Sequence, residues 1–301
     1  MRTVFLGTSE FAAAVLRRLS DSPHRPVLAL SRPDRPRGRG RRILPPPAVV
    51  TARELGIEVD QPASVNDPEV RTRIAEAAPE AVCVCAFGGL IMEPLLSEHW
   101  MVNVHPSLLP RWRGAAPIQA AIAAGDRETG ITVMYMDEGL DTGDILLQKK
   151  IAIAPNETGA SLHDKLAQIA PEALAEAILL LDKEKAPRLS QENEFATYAS
   201  KLERKHGRID WSESAEAIER KIRAFDPWPG AFMEIDHRHL KIFSATTADH
   251  KGKPGEISQK ENELIVAAGE GALSLGEVQL EGKRRMSAAE FLRGHSRIAQ
   301  L

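Results

Sequence analysis

Apolar positions in the first part of the chain fall into two alternating kinds of run. Short continuous runs stand at 3–6, 27–30, 81–85, 101–104 and 131–134, while stretches with apolar residues three or four apart stand at 11–19, 49–55 and 118–124. The first kind predicts buried strands and the second predicts helices that cover them. Their alternation predicts βαβ units and a Rossmann-like, mostly parallel α/β sheet. A longer helical stretch follows at 162–181, and Ser161 with Asp164 three residues on predicts its N-terminal cap. From 186 to 206 the period is lost and the chain turns polar, which predicts a surface linker. One helical stretch, 215–225, then precedes strand-like runs at 231–235, 240–245, 264–267 and 272–280, the pattern of a small OB-like β-barrel. The expected organisation is a Rossmann-like domain over 1–185, a linker over 186–206 and a barrel domain over 207–301.

Composition adds limits to this picture. A chain of 301 residues with 43% hydrophobic and 27% charged residues has the length and content for two globular cores. No apolar run approaches the roughly 18 residues a membrane span needs, so a soluble protein without a membrane partner is expected. Met1 and Arg2 lead directly into a strand-like run, which leaves no room for a signal peptide and makes the cytoplasm the expected location. Cys83 and Cys85 share one face of a predicted buried strand, where small apolar packing is the expected role rather than a disulfide or a metal site. In the first βα turn, Gly7-Thr8-Ser9-Glu10 stands in place of the G-x-G-x-x-G that admits a pyrophosphate, so a dinucleotide cofactor is not supported.

The formal charge of −3 conceals an uneven distribution. Arg32, Arg35, Arg37, Arg39, Arg41 and Arg42 crowd into eleven residues with one acid, Asp34, and the breakers Pro33, Pro36, Gly38 and Gly40. Guanidinium groups pair well with phosphates, so this segment reads as a mobile loop that contacts nucleic acid, against the plainer reading of a solvated charged loop. Lys201, Arg204, Lys205 and Arg208, and then Lys283, Arg284 and Arg285, are candidates to extend the surface.

The candidate chemistry lies between Asn103 and Asp141. In a strand over 101–105, Asn103 and His105 share one face, and both meet near the C-terminal end where open α/β sheets place ligands. Asp141 follows in the glycine-flanked run Gly139-Leu140-Asp141-Thr142-Gly143-Asp144 and can fold back over the same end. An amide donor, an imidazole and a carboxylate suit transfer of a one-carbon acyl group to an amine, without metal or covalent nucleophile. Asn103 can donate to the developing oxyanion; His105 can donate to it or shuttle a proton; Asp141 can orient the ring or accept a proton through water. Rival readings are a hydrolase-like triad with Ser107, which lacks a G-x-S-x-G elbow, and a cation site at Asp137, Glu138, Asp141 and Asp144, whose spacing misses the EF-hand.

Asn103-Val104-His105, Ser107-Leu108-Leu109-Pro110 and Leu140-Asp141-Thr142-Gly143-Asp144 together resemble the signature of the folate-dependent formyltransferases. Four further runs resemble the branch of that superfamily that formylates methionyl-tRNA: Arg32 to Pro36 with Gly38-Arg39-Gly40, Arg111 to Ile118, Ile209-Asp210-Trp211, and Arg223 to Gly230. The likeness runs nearly end to end. It implies that 10-formyltetrahydrofolate donates a formyl group to the amine of initiator methionyl-tRNA, with Asn103, His105 and Asp141 as the catalytic trio. By position it implies that Ser107, Leu108, Leu109 and Pro110 border the folate, with Phe87, Gly88, Leu90, Ile91, Gly139 and Leu140. It also implies that Arg35, Arg37, Arg39, Arg41 and Arg42 enter the tRNA acceptor arm; no metal is expected to take part, and a monomer is expected. Phe87 stands where the family usually has Tyr, and Pro106 where it has a small residue, as in the purine-pathway branch. A sugar or nucleotide formyltransferase, a formylfolate hydrolase, an RNA-binding protein and an NADP oxidoreductase are the competing functions.

Overall fold

The structure, a computed structural model, describes residues 1–37 and 42–295. Contacts divide the chain into two compact units that do not follow chain order. The first gathers Met1–Gly114, Thr129–Ile151 and His163–Tyr198; the second gathers Ala115–Glu128, Ala152–Leu162 and the chain from Ala199 onward.

A seven-stranded sheet organises the first unit, in the order Ile145–Ala152, Glu128–Tyr135, Trp100–His105, Ala81–Cys85, Thr3–Gly7, Pro26–Leu30, Glu58–Asp60. The last five are mutually parallel, and Glu128–Tyr135 runs antiparallel to Trp100–His105, so the expected mostly parallel sheet is found. Thr3–Gly7 and Ala81–Cys85 are buried at every position, which is why they read as unbroken apolar runs. Both thiols of the Ala81–Cys85 strand are buried, and burial pushes Cys83 up to about 12 and Cys85 higher still. The strand order, not the strand direction, reverses between Thr3–Gly7 and Ala81–Cys85, because one connects onward to Pro26–Leu30 and the other to Trp100–His105 on the opposite side. Gly7 serves packing at this point: a Cβ there would lie 2.7 Å from the Ala12 methyl and 2.5 Å from the Phe5 ring.

Several elements escape the apolar pattern. The Pro68–Glu76 helix buries only Val70 and Ile74, and Ile145–Ala152, at one margin of the sheet, buries only Leu146 and otherwise alternates half-buried and exposed positions. The long helix spans Gly159–Asp182, so its cap lies upstream of the expected Ser161. Thr158 Oγ1 accepts from the Ser161 N–H at 3.1 Å while Ser161 Oγ accepts from the Thr158 N–H at 2.9 Å. This is a capping box with serine in the reciprocal position, which a search for an acidic partner overlooks.

In the second unit two four-stranded sheets share one core that includes Ile218, Leu240, Leu264, Val278 and Phe291. The runs expected at 240–245 and 272–280 each divide into two strands that belong to different sheets: Arg238–Ile242 with Ala245–Ala248, and Ala272–Leu275 with Glu277–Leu280. Gly276 marks one break. Its N–H donates to the Ser244 carbonyl at 2.8 Å, and a Cβ would stand 2.5 Å from Ser244 Oγ, so the two corners lie against each other. Among the described residues no helix is long and apolar enough to cross a membrane.

Candidate active site

The Trp100–His105 strand sets two of the three polar groups. Val102 and Val104 are buried on one face, while Asn103 is half-buried and His105 is 4% exposed on the other. No group among the described residues hydrogen-bonds the Asn103 amide. Both nitrogens of His105, in contrast, are engaged. Nε2 lies 2.8 Å from the Trp112 carbonyl oxygen, and Nδ1 lies 3.6 Å from Asp141 Oδ2. A carbonyl only accepts, so Nε2 carries a proton and Nδ1 is the nitrogen that gains or releases one.

Asp141 reaches this position across the loop after Glu128–Tyr135. Its backbone adopts φ +54, a left-handed conformation costly for a residue with a Cβ, and Trp112 is left-handed as well at φ +63. The two strained residues are those whose oxygens face the two His105 nitrogens. Asp141 Oδ2 also accepts from the Gly114 N–H at 2.8 Å, whereas Oδ1 has no partner among the described residues. The loop needs its glycines: a Cβ on Gly143 would stand 1.9 Å from the Tyr135 carbonyl oxygen, and one on Gly139 would stand 1.9 Å from Thr142 Oγ1. Thr142 Oγ1 in turn donates to Asp137 Oδ1 at 2.7 Å, which makes Asp137 a turn residue. Among the described residues no group of three or more His, Cys, Asp and Glu side chains could hold a metal ion.

Residues 1–178 match the family described as formyl transferase, and residues 201–296 match the formyl transferase C-terminal domain. The chain belongs to the formyl transferase family. It is 45% identical over 298 residues to the methionyl-tRNA formyltransferase of Geotalea daltonii, covering 98% of this chain and 96% of that one. A solved methionyl-tRNA formyltransferase from Clostridium thermocellum has a TM-score of 0.59 at 18% identity, covering 83% of this chain and 95% of that chain. HypX from Aquifex aeolicus, solved in complex with tetrahydrofolic acid, has a TM-score of 0.62 at 20% identity; the match covers 97% of this chain but 47% of HypX.

In this formyl transferase the Ser107–Pro110 turn is fixed from behind. Ser107 is fully buried and its hydroxyl donates to the Arg111 carbonyl at 2.6 Å, so it serves the turn and has no path to act as a nucleophile. Thr132 Oγ1 donates to the Ser107 carbonyl at 2.7 Å and accepts from Leu109 N–H at 3.1 Å, and Gln148 Nε2 donates to the Leu109 carbonyl at 2.9 Å. Leu108 and Pro110 are half-buried and Leu109 is buried. Of the other residues named for folate, Phe87 and Ile91 belong to the buried core, whereas Gly88, Leu90, Gly139 and Leu140 are exposed. Leu90 at 73% and Leu140 at 61% are large apolar side chains open to solvent. A cavity of about 280 Å³ lies where the strand order reverses, lined by Thr8, Ser9, Arg32, Leu44, Ala86 and Phe87 among others.

The described residues of the basic segment pair with each other. Arg35–Arg37 and Arg42–Leu44 form a two-stranded antiparallel ribbon, with Arg35 opposite Leu44 and Arg37 opposite Arg42, where sequence suggests a mobile loop. Arg35 and Arg42 are exposed; Arg39 and Arg41 lie outside the described residues.

Residues of the expected linker turn out to frame the site. Thr197 accepts through its carbonyl from the Arg113 N–H at 2.8 Å and through Oγ1 from the Trp112 N–H at 2.9 Å. Leu189 exchanges two backbone hydrogen bonds with Ile145, and Ser190 Oγ donates to Asp144 Oδ1 at 3.1 Å. Arg113, 2% exposed, donates Nε and Nη2 to Gln191 Oε1 at 3.0 and 2.9 Å and Nη2 to Asn193 Oδ1 at 2.9 Å. No motif flags Gln191 or Asn193; the available signal is that an arginine buried beside a catalytic turn needs polar partners from somewhere.

Proposed function

We propose that this enzyme transfers the formyl group of 10-formyltetrahydrofolate to the amino group of initiator methionyl-tRNA. The observation that carries the reading is the convergence at one strand end of the Asn103 amide and Asp141 Oδ1, neither with a partner among the described residues, and a His105 ring of fixed tautomer. Family membership and the 45% likeness to a methionyl-tRNA formyltransferase support the choice of donor and acceptor. The Asn103 amide, without a partner among the described residues, and the exposed Leu90 and Leu140 suit a flat, largely apolar donor with one carbonyl to polarise.

10-Formyltetrahydrofolate supplies the reacting formyl carbon. Asn103 donates an N–H to the formyl oxygen as negative charge develops on it. Asp141 Oδ1 takes the proton the attacking amine loses, directly or through water, while Oδ2 stays on Gly114 N–H and beside His105. His105 stands beside the other carboxylate oxygen through Nδ1, and its Nε2–H anchors the ring to Trp112. The proton then returns to the departing nitrogen. No acyl-enzyme forms. Ser107, Leu108, Leu109 and Pro110, with Phe87, Gly88, Leu90, Ile91, Gly139 and Leu140, border the donor, and Arg35, Arg37, Arg39, Arg41 and Arg42 bind tRNA phosphates. The enzyme works in the cytoplasm, with the catalytic domain over 1–185 and the barrel domain over 207–301.

The test is to incubate the protein with 10-formyltetrahydrofolate and a panel of aminoacylated tRNAs. Formyl-methionine on initiator tRNA is the expected product. Formylation of an amino sugar or nucleotide amine in place of tRNA, or release of free formate, would replace this reading.

A further inference from the structure

The Gln191 amide is saturated. Its Oε1 accepts both Nε and Nη2 of the buried Arg113, and its Nε2 donates to the Asp141 carbonyl at 2.9 Å and to the Gly143 carbonyl at 2.7 Å. Guanidinium N–H groups only donate and carbonyls only accept, so the amide has one possible orientation. Asn193 and the backbone of Arg113, bound to Thr197, hold the guanidinium in turn. One of the two carbonyls that Gln191 grips is that of Asp141 itself, the left-handed residue, and the other follows two residues on at Gly143. Without a fixed grip, a non-glycine residue at φ +54 relaxes toward ordinary values and carries its side chain away.

We propose that Gln191 is a positioning residue for formyl transfer: pinned by Arg113, its amide holds the Asp141 loop so that the carboxylate meets His105 Nδ1 and the Gly114 N–H. The inference rests on the proposed role of Asp141 in catalysis. It assigns a part in the reaction to a segment that carries no catalytic signature of its own. Two substitutions separate holding Arg113 from holding the loop. Gln191→Glu keeps oxygen acceptors for Arg113 but sets a carboxylate against the Asp141 and Gly143 carbonyls. Gln191→Met keeps the length and loses both functions.

The experiment measures kcat and KM for formylation of methionyl-tRNA, with thermal unfolding, for Gln191→Glu, Gln191→Met, Asp141→Asn and the Gln191→Glu/Asp141→Asn double variant. Expected are a fall in kcat of about 10–100-fold for both Gln191 variants, KM for either substrate within about threefold, and a Gln191→Glu melting temperature close to the parent's. The double variant should be no slower than Asp141→Asn alone, because Gln191 acts through Asp141. Parent-like kcat in Gln191→Glu, a loss confined to KM, or losses that multiply in the double variant would overturn the proposal while leaving the trio intact. Parent-like kcat in Asp141→Asn would instead remove the trio reading and this inference with it. If Gln191→Met fails to fold, Gln191→Glu decides alone.

Discussion

His105 Nε2 donates to the Trp112 carbonyl oxygen at 2.8 Å, and this bond turns Nδ1 toward Asp141 Oδ2 at 3.6 Å. The second distance is ion-pair range rather than a hydrogen bond, so proton exchange between the two groups depends on small motions of the loop. A buried ring locked on one side has a single nitrogen available for chemistry. Catalysis therefore depends on where the carboxylate is held as much as on its presence.

Asp141→Asn tests the carboxylate directly. The amide can keep its oxygen on the Gly114 N–H, so loop and fold are retained, but it accepts no proton. The expected result is a fall in kcat of about 10²–10⁴-fold, with KM for both substrates changed little. Steady-state kinetics on methionyl-tRNA with 10-formyltetrahydrofolate measure it; a change in KM alone would make Asp141 a binding group.

Asn103→Ala separates transition-state stabilisation from structure. Because the described residues give this amide no hydrogen-bond partner, its removal breaks nothing in the fold, and stability should change by no more than about 0.5 kcal/mol. The loss should fall on kcat, by roughly 10²–10³-fold, as for an oxyanion donor. Equilibrium urea unfolding and single-turnover formylation read the two quantities separately.

These two positions were legible because strand alternation and motif spacing bring them together without knowledge of any loop. Asn103 and His105 two residues apart must share a face, and the Gly139 to Asp144 run announces a tight turn. Trp112, Gly114 and Gln191 contribute a carbonyl, an N–H and a side-chain amide whose importance depends on chain paths that periodicity does not encode. The polar stretch around Gln191 reads as linker because its partners, a buried guanidinium and two loop carbonyls, are themselves polar and leave no apolar stripe. The division of 272–280 at Gly276 was hidden for a related reason: residues on both sides face one core, so the apolar signal continues across the change of sheet.

Arg113 should prove more costly to remove than its place in a surface-like motif suggests. Arg113→Met leaves the oxygens of Gln191 and Asn193 without their donors inside the fold. The expected loss is about 1–3 kcal/mol, read as a lower urea midpoint with unchanged slope. Arg113→Lys should recover only part of it, since one ammonium cannot reproduce the fork that meets both amides. Full recovery by lysine would show that charge alone matters here.

Cys83 and Cys85 make the fold sensitive to alkaline pH. Burial pushes the Cys83 thiol up from 9.0 to about 12 and Cys85 higher. The folded state therefore holds its thiol protons where the unfolded chain releases them, so this contribution is intact below pH 9 and declines as pH rises from 9 toward 12. Urea midpoints measured at pH 7, 8 and 10.5 should be nearly flat between the first two and lower at the third. Cys83→Ala/Cys85→Ala should reduce the extra alkaline loss, whatever its cost at neutral pH. In the native protein at pH 8 a colorimetric thiol reagent should react with neither cysteine, and in denaturant it should titrate both.

The ribbon tests the nucleic-acid surface. Arg35 and Arg42 are exposed on strands that pair with each other, so replacing both by Ala leaves the formyl transferase core untouched. If both hold phosphates, tRNA affinity should fall, and the slope of log affinity against log salt should flatten by up to about one unit per lost contact. KM for methionyl-tRNA should rise while KM for the folate donor stays constant. An unchanged salt slope with a lower kcat would move these arginines out of tRNA binding and toward shaping the nearby cavity, which Arg35 and Leu44 also line.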